Sequence, residues 1–292
     1  MPQSVKKKGG YREMGFKIGV IIDSFRSGLK EGIIKAKKAG AEGIQLYATQ
    51  GEAAPENMNR QKTMQLKDFV TSNGLEIAAV CGDLGGHGFS FREDNRWRIE
   101  KSKRILDLAA ELGTNVVTTH IGVIPESKNH PRWKILYEAC EELGDYAAGM
   151  GSYFAVETGP ERAAVLKDFL DSLISRGVRV NMDPANFVMV TGDRPVDAVR
   201  ILGEYIVHTH AKDGIMLFRK DPEVIYGNIE DAHKDETAFK EVPLGEGDVD
   251  FATYLQALSE SGYNGYLTIE RETGDDPEAD IQKAVVFLKG LL

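Results

Sequence analysis

Four segments in the second half of the chain end in groups that bind cations or move protons. They are Glu157 in "YFAVETG", Asp183 in "VRVNMDPAN", His210 in "IVHTHAKD" and Glu270 in "YLTIERE". Each segment begins as an apolar, strand-prone run. Side chains alternate along a strand. Phe154 and Val156 therefore oppose Ala155 and Glu157, and Val180 and Met182 oppose Asn181 and Asp183. Val207 and Thr209 oppose His208 and His210, and Leu267 and Ile269 oppose Thr268, Glu270 and Glu272. Taken singly, each polar group has an ordinary explanation: a solvated strand end, a helix cap partner, a satisfied core histidine. Together they place three carboxylates and one imidazole on the same face of four consecutive strands. Burying that set without a counter-ion is costly. One divalent cation resolves the conflict, because three carboxylates with a neutral imidazole carry three negative charges. Hard oxygen donors and one imidazole suit Mn²⁺ first, then Mg²⁺ or Co²⁺, with Zn²⁺ also compatible.

These groups need a scaffold that brings successive strand ends to one point. The strand-like runs are 17–23, 43–48, 76–83, 115–122, 153–159, 178–186, 206–213 and 266–272. Amphipathic stretches such as "KSKRILDLAAELG" and "FATYLQALSESG" lie between them, and Gly40, Gly113, Gly177 and Gly262 stand where helix C-caps would fall. Strand–helix alternation means parallel βαβ units. Eight units in 292 residues predict a single α/β domain, a (β/α)8 TIM barrel, over residues 16–292. Residues 1–15 read as a loose N-terminal extension, with Met14 as an alternative start. The competing fold is a doubly wound open sheet, but the turn after the first strand, "DSFRSGLKEG", lacks its GxGxxG phosphate loop. Residues 214–249, after the seventh strand, form a long loop at the barrel's C-terminal mouth, where a lid would sit.

The composition excludes several classes. Apolar residues make up 42% and charged residues 28% of the chain, as in ordinary globular proteins. A net charge of −9 without a basic stripe speaks against nucleic acid or an anionic membrane as partner. No apolar run has the length of a membrane span. The start "MPQSVKKKGGYREMGF" has no signal-peptide core. Cys81 and Cys140 make no disulfide framework, which fits a reducing, cytoplasmic setting.

With these motifs in view, the sequence resembles the xylose-isomerase-like barrel superfamily, from about Phe16 to Leu292. That group contains sugar isomerases, ketose 3-epimerases, inosose dehydratases and relatives of endonuclease IV. The resemblance rests on "VETG", "NMDPAN", "HTHAKDG", "PLGEGDVDF" and "LTIERE". It implies one metal held by Glu157, Asp183, His210 and Glu270, and it selects His210 over His208, the latter becoming an inner-layer support. It implies a reaction in which Glu157 and Glu270 also move protons on opposite faces of a substrate, through a metal-stabilised enediolate. Lys212, in the HxKD pattern, would add a cation near the developing oxyanion or pair with Asp213 or a ligand carboxylate. The implied activity is a divalent-metal-dependent isomerase or epimerase on a sugar or sugar derivative. The alternative is a metal-dependent dehydratase or lyase on a keto-inositol or 3-keto-glycoside. The expected partners are a small sugar or polyol and further copies of the chain, as dimer or tetramer.

Some positions depart from the ketose 3-epimerase pattern. Asn186 stands where a substrate-binding histidine is expected, Ala163 where a second glutamate is, and Met216 where an arginine is. Asn186 can still hydrogen-bond a hydroxyl. His120 in "TTHIG" is placed to face the substrate, and His87 in the Gly-rich "GDLGGHGF" to approach it. Each of these two has a structural alternative, a core role for His120 and a surface turn for His87. His130 and His233 read as surface loop residues, and Trp97 and Trp133 as covers of the mouth or packing between helices. Glu246 reads as part of a turn that positions the next helix, and Cys81 has no partner pattern that would make it a nucleophile. An endonuclease-IV-like phosphodiesterase would need more histidine ligands and a basic face. A non-catalytic barrel would not need all four ligand types.

Overall fold

The computed structural model describes residues 15–230 and 236–292. Nearly all of the expected N-terminal extension, with Met14, lies outside the described residues, as does His233. The strands, in chain order, are β1 (Lys17–Ile21), β2 (Gly43–Tyr47), β3 (Glu76–Cys81), β4 (Val116–Thr119) and β5 (Tyr153–Glu157). They continue with β6 (Val178–Met182), β7 (Ile206–Ala211), β8 (Asp213–Met216), β9 (Phe239–Val242) and β10 (Tyr266–Ile269). All but β8 and β9 close into a parallel barrel in the order β1-β10-β7-β6-β5-β4-β3-β2. The pairing of β1 with β10, from Lys17 against Tyr266 to Val20 against Ile269, completes the ring and rules out the open sheet. Helices follow the barrel strands, among them Arg92–Leu112, Pro131–Gly149, Ala163–Ser172, Phe251–Glu260 and Pro277–Leu291. The molecule is thus a (β/α)8 barrel. No helix among the described residues is long and apolar enough to cross a membrane.

The alternation along the strands holds. Phe154, Val156, Val180, Met182, Leu267 and Ile269 belong to the main core beneath the helices. Ala155 joins Ala79 and Val116 in a separate small cluster on the opposite, inward face. That face also carries Gln45, Thr118, Asn181, His208 and Thr268, all at most 2% exposed. A barrel interior is normally filled by branched apolar side chains. Here its upper layers are polar.

Several expected strands run too long at their C-terminal ends. The run expected to 186 stops at Met182, because the Asp183 side chain caps a helical turn, accepting hydrogen bonds from the amides of Ala185 (2.8 Å) and Asn186 (3.1 Å). The run expected to 213 stops at Ala211, and Asp213 begins β8. Gly177 is not a cap either. The preceding helix ends at Ser172, and a Cβ on Gly177 would run into the Gly144 carbonyl, so the residue is fixed by close approach of two backbones.

The long connection after the seventh strand has structure of its own. β8 and β9 form an antiparallel hairpin, and a short helix, Pro222–Ile225, lies between them. Two carboxylates fasten it, one buried (Asp213) and one half-buried (Glu223). Asp213 accepts four backbone N–H groups, from Gly214 (2.9 Å), Gly245 (2.9 Å), Gly247 (3.0 Å) and Val249 (3.1 Å). Both Glu223 oxygens accept from Arg132 Nη1, at 2.5 and 2.8 Å, and Oε2 also accepts from Asn228 at 2.8 Å. The turn containing Glu246 therefore positions the following helix, as its sequence suggests, with Asp250 capping Thr253 at 3.2 Å.

Candidate metal centre and active site

The ends of β5, β6, β7 and β10 meet at a cavity of about 850 Å³ on the C-terminal side of the barrel. Glu157, Asp183, His210 and Glu270 converge at its floor, each offering one donor atom, and these atoms lie within 4.8 Å of one another. None is more than 7% exposed. His210 Nδ1 faces all three carboxylates, 3.6 Å from Glu157 Oε1, 3.5 Å from Asp183 Oδ2 and 3.3 Å from Glu270 Oε2. This cluster could hold a metal ion, as the sequence predicts.

Asp183 Oδ1 is spent on the two cap amides, whereas Oδ2 is fully buried and has no hydrogen-bond partner among the described residues. An orphaned carboxylate oxygen costs several kcal/mol in principle. A cation in the cluster would satisfy it. The charges agree: with His210 neutral, as a ligand imidazole is, three buried carboxylates face one buried ammonium, Lys212, whose Nζ lies 3.0 Å from Glu270 Oε2 and also reaches the largely exposed Glu272. The donor set, the orphan oxygen and the residual charge therefore fit a divalent ion.

Burial alone would raise the Glu157 and Glu270 carboxyls, but His120 and His210 hold Glu157 below its usual range, and Lys212 and His210 do the same for Glu270. Asp183 is pushed up, mainly by burial. Burial pulls His210 down, yet Glu270 and Glu157 outweigh it and keep the ring protonated in the absence of a cation. His208, beneath it with ring centroids 5.9 Å apart, is pushed well down by burial and by the His210 charge, so it is a neutral inner-layer support.

The other sequence-derived candidates divide. His120 lines the cavity, with Nδ1 3.1 Å from Asp83 Oδ2 and Nε2 3.7 Å from Glu157 Oε1. Burial opposes its charge, but Glu157 and Asp83 push its pKa up to about 10. Asn186 lines the cavity too, donating to Glu157 Oε1 at 3.2 Å and to the Thr158 carbonyl at 3.1 Å. Gly159 makes this possible: with φ at +131°, a region that other residues avoid, it leaves room where a Cβ would strike Asn186. Lys212 lines the cavity and pairs with Glu270, not with Asp213. His87 is brought elsewhere: its Nε2 pairs with Asp94 at 2.9 Å, its ring packs edge-on to Phe91, and it is not among the described residues that line the cavity. His130 caps the helix at Pro131, and Trp133 packs on Phe169 between helices while Trp97 lies half exposed. Cys81 lines the cavity, but burial pushes its thiol far up, away from nucleophilic chemistry.

Four residues at the site escaped the sequence reading. Asn181 donates to Glu157 Oε2 at 3.1 Å, and strand alternation already placed it inward. Gln45, fully buried on β2, lies 3.3 Å from His210 Nε2, and the same alternation along "GIQLY" carries the signal. Asp83 orients His120, and only its place just past β3 hinted at this. Tyr226 lines the cavity from the segment between β8 and β9, its ring centroid 6.0 Å from that of His120, and nothing in its neighbourhood announces it.

Glu161, just past β5, is buried and accepts one bond from the Ile124 amide at 3.3 Å. Burial, only partly opposed by that bond and by His120, raises its pKa from 4.5 to about 8. The folded chain then holds a proton on Glu161 that the unfolded chain has lost at any pH between those values. Stability through this group is full below about 4.5 and falls as pH rises toward 8. Glu161→Gln is expected to flatten that part of the curve in urea titrations at the two ends of the window. An unchanged slope would clear Glu161 of the effect.

A family model described as xylose isomerase-like TIM barrel matches residues 33–291, and the chain belongs to that family. The xylose isomerase domain protein from Planctomyces limnophilus is 26% identical, superposes with a TM-score of 0.78, and is aligned over 96% of this chain and 98% of that one. An L-ribulose-5-phosphate 3-epimerase from Shigella flexneri is 43% identical over 68 residues, so the chain spans only 24% of that relative, and the match covers 22% of this chain. A D-psicose 3-epimerase from Clostridium cellulolyticum H10, solved with D-tagatose, shares the fold at a TM-score of 0.72 and 16% identity, over 95% of this chain and 99% of that one.

Proposed function

We propose that this chain is a divalent-metal-dependent isomerase or epimerase of a sugar or sugar derivative. The observation that carries this is the pair Glu157 and Glu270 in one buried four-residue cluster at the floor of a large cavity. The sugar epimerases among its relatives support it. A divalent ion, when bound, supplies polarisation of the substrate carbonyl. The chain supplies the rest. One of the two carboxylates takes the proton from the carbon beside the carbonyl, and the other returns a proton to the opposite face. Asn181 and Asn186, each bonded to a different Glu157 oxygen, hold that carboxylate in place. Lys212 holds Glu270 from the other side and brings positive charge to the oxyanion that forms. His120, oriented by Asp83 through Nδ1, offers Nε2 to the cavity for a substrate hydroxyl.

The substrate we favour is neutral and polyhydroxylated. The buried lysine and arginine that line the cavity, Lys212 and Arg271, are both committed, the latter to Glu241 at 2.6 Å and Asp280 at 2.9 Å, and the charged His120 is paired with Asp83 at 3.1 Å. The protein acts, on this reading, on a free small molecule and as a homo-oligomer.

The test is incubation with ketoses, sugar phosphates, keto-inositols and 3-keto-glycosides in D₂O with added Mn²⁺, followed by NMR. Deuterium at the α-carbon with the carbon skeleton retained is the expected result. Loss of water or of an aglycone would instead make the chain a lyase using the same proton abstraction. No exchange in any member of the panel, with or without Mn²⁺, would sink the proposal.

A further inference from the structure

The proposed metal site asks a question that the cluster itself does not answer. An imidazole can bind a cation through only one nitrogen, and only if that nitrogen has no proton. Something must decide which nitrogen of His210 is free. We propose that Gln45 decides it: its amide oxygen takes the Nε2–H of His210, which leaves the Nδ1 lone pair facing Glu157, Asp183 and Glu270. This rests on reading the cluster as a metal site.

Three observations carry the proposal. First, the two nitrogens of His210 have different surroundings. Nδ1 has the three carboxylates within 3.3 to 3.6 Å. Nε2 has Gln45 Oε1 at 3.3 Å. Second, the Gln45 amide is oriented with its oxygen toward His210. Its Nε2 donates to Thr118 Oγ1 across the barrel at 3.2 Å, so both ends of the amide are bonded in this orientation. The reversed amide would press an N–H against His210 Nε2 and force the ring proton onto Nδ1, where it would block the ligand atom. Third, Asn181 does not compete. Its amide nitrogen lies 3.2 Å from Nε2 and 3.5 Å from Nδ1. An in-plane approach at such nearly equal distances would collide with the carbon between the two nitrogens, so Asn181 lies over the ring face and is already bonded to Glu157.

The choice of glutamine at this place then has a reason. Gln45 is fully buried at the centre of β2, flanked by Ile44 and Leu46, and an amide there is costly unless both its ends are satisfied. Thr118 and His210 satisfy them from β4 and β7. The β2 strand thus contributes to a centre whose ligands come from β5 onward. Gln45 touches neither ion nor substrate in this account. It is a positioning residue acting through His210, and partners of this kind contribute about 10- to 100-fold in metal affinity.

The test uses the full chain and Mn²⁺ alone. Mn²⁺ affinity is measured by calorimetry for the wild type, Gln45→Leu and Gln45→Glu, after a melting curve has shown that each variant is folded. Leucine keeps the volume and removes the acceptor, so affinity should fall roughly 10- to 100-fold. Glutamate keeps the acceptor, so affinity should stay within about threefold of the wild type, a rescue that mere packing would not give. ¹⁵N NMR of the Zn²⁺-loaded, histidine-labelled wild type should show His210 protonated at Nε2. Equal affinity in wild type and Gln45→Leu, equal losses in Leu and Glu, or a proton on Nδ1 would each overturn the inference. A wild-type chain that binds neither Mn²⁺ nor Zn²⁺ would remove the functional reading itself, and this inference with it.

Discussion

A Glu270→Gln chain is expected to fold, to keep its cavity, and to lose about 10²- to 10⁴-fold in α-carbon deuterium exchange on whichever substrate the wild type accepts. Glutamine has nearly the same shape and can still accept the Lys212 bond that Glu270 receives at 3.0 Å. What it cannot do is take a proton or balance a cation with a full negative charge. The loss should therefore exceed anything the geometry alone would explain. Metal content should fall in parallel, since Glu270 lies in the four-residue cluster with donor atoms within 4.8 Å. Glu157→Gln is expected to behave alike, because the reaction needs one carboxylate on each face of the substrate. Two readouts decide the matter: Mn²⁺ per chain after dialysis, and deuterium incorporation by NMR. A variant with normal Mn²⁺ and more than a tenth of the wild-type exchange would take Glu270 out of the proton-moving role.

Lys212→Met is expected to have the second large effect, and on two separate quantities. Lys212 is 4% exposed, and its ammonium is buried against Glu270, with Glu272 beyond. Burial disfavours its charge, but Glu270 and Glu272 outweigh that and hold it protonated. Removing one partner of a buried ion pair leaves the other uncompensated, at a cost of about 3–5 kcal/mol. The metal-free variant should lose that much in urea unfolding. Saturating Mn²⁺ should restore part of it, because a ligand bound only by the folded state stabilises it by mass action. Turnover should fall about 10²- to 10³-fold, as when one donor to a developing oxyanion is removed. Lys212→Arg, which keeps the charge with a different shape, should recover most of the stability and less of the rate. A Met variant as stable as the wild type without metal would mean that the Lys212–Glu270 pair contributes nothing in the folded chain.

The division between what was legible and what was not follows the range of the forces involved. The two-residue period of a strand is set by local covalent geometry, so it can be read without knowing the neighbours. It gave the barrel, the outward set of Phe154, Val180 and Ile269, and the inward set of Glu157, Asp183, His210 and Glu270. Where a strand stops is already less local. Asp183 leaves the ladder because its side chain finds two amides just ahead, and β7 gives way to a hairpin because Asp213 collects N–H groups from as far on as Val249. Such carboxylates look the same in sequence as solvated ones. The candidate site shows the same boundary. His87 and His120 are alike as letters beside glycine or threonine, yet Asp94 holds one outside the cavity while Asp83 turns the other into it.

Tyr226 and Gln45 mark the far limit. Tyr226 lines the site from a segment fastened by long-range contacts, among them that of Glu223 with Arg132, 91 residues before it. Gln45 meets His210 across 165 residues of chain, and only barrel closure makes the two neighbours. The sequence by itself determined the fold, the residue types of the candidate metal cluster and their common face, because each follows from patterns a few residues long. The tertiary structure alone decided how the ligands are oriented, what covers them and which histidine is spent elsewhere. Those depend on hydrogen bonds and ion pairs between segments that become neighbours only when the barrel closes.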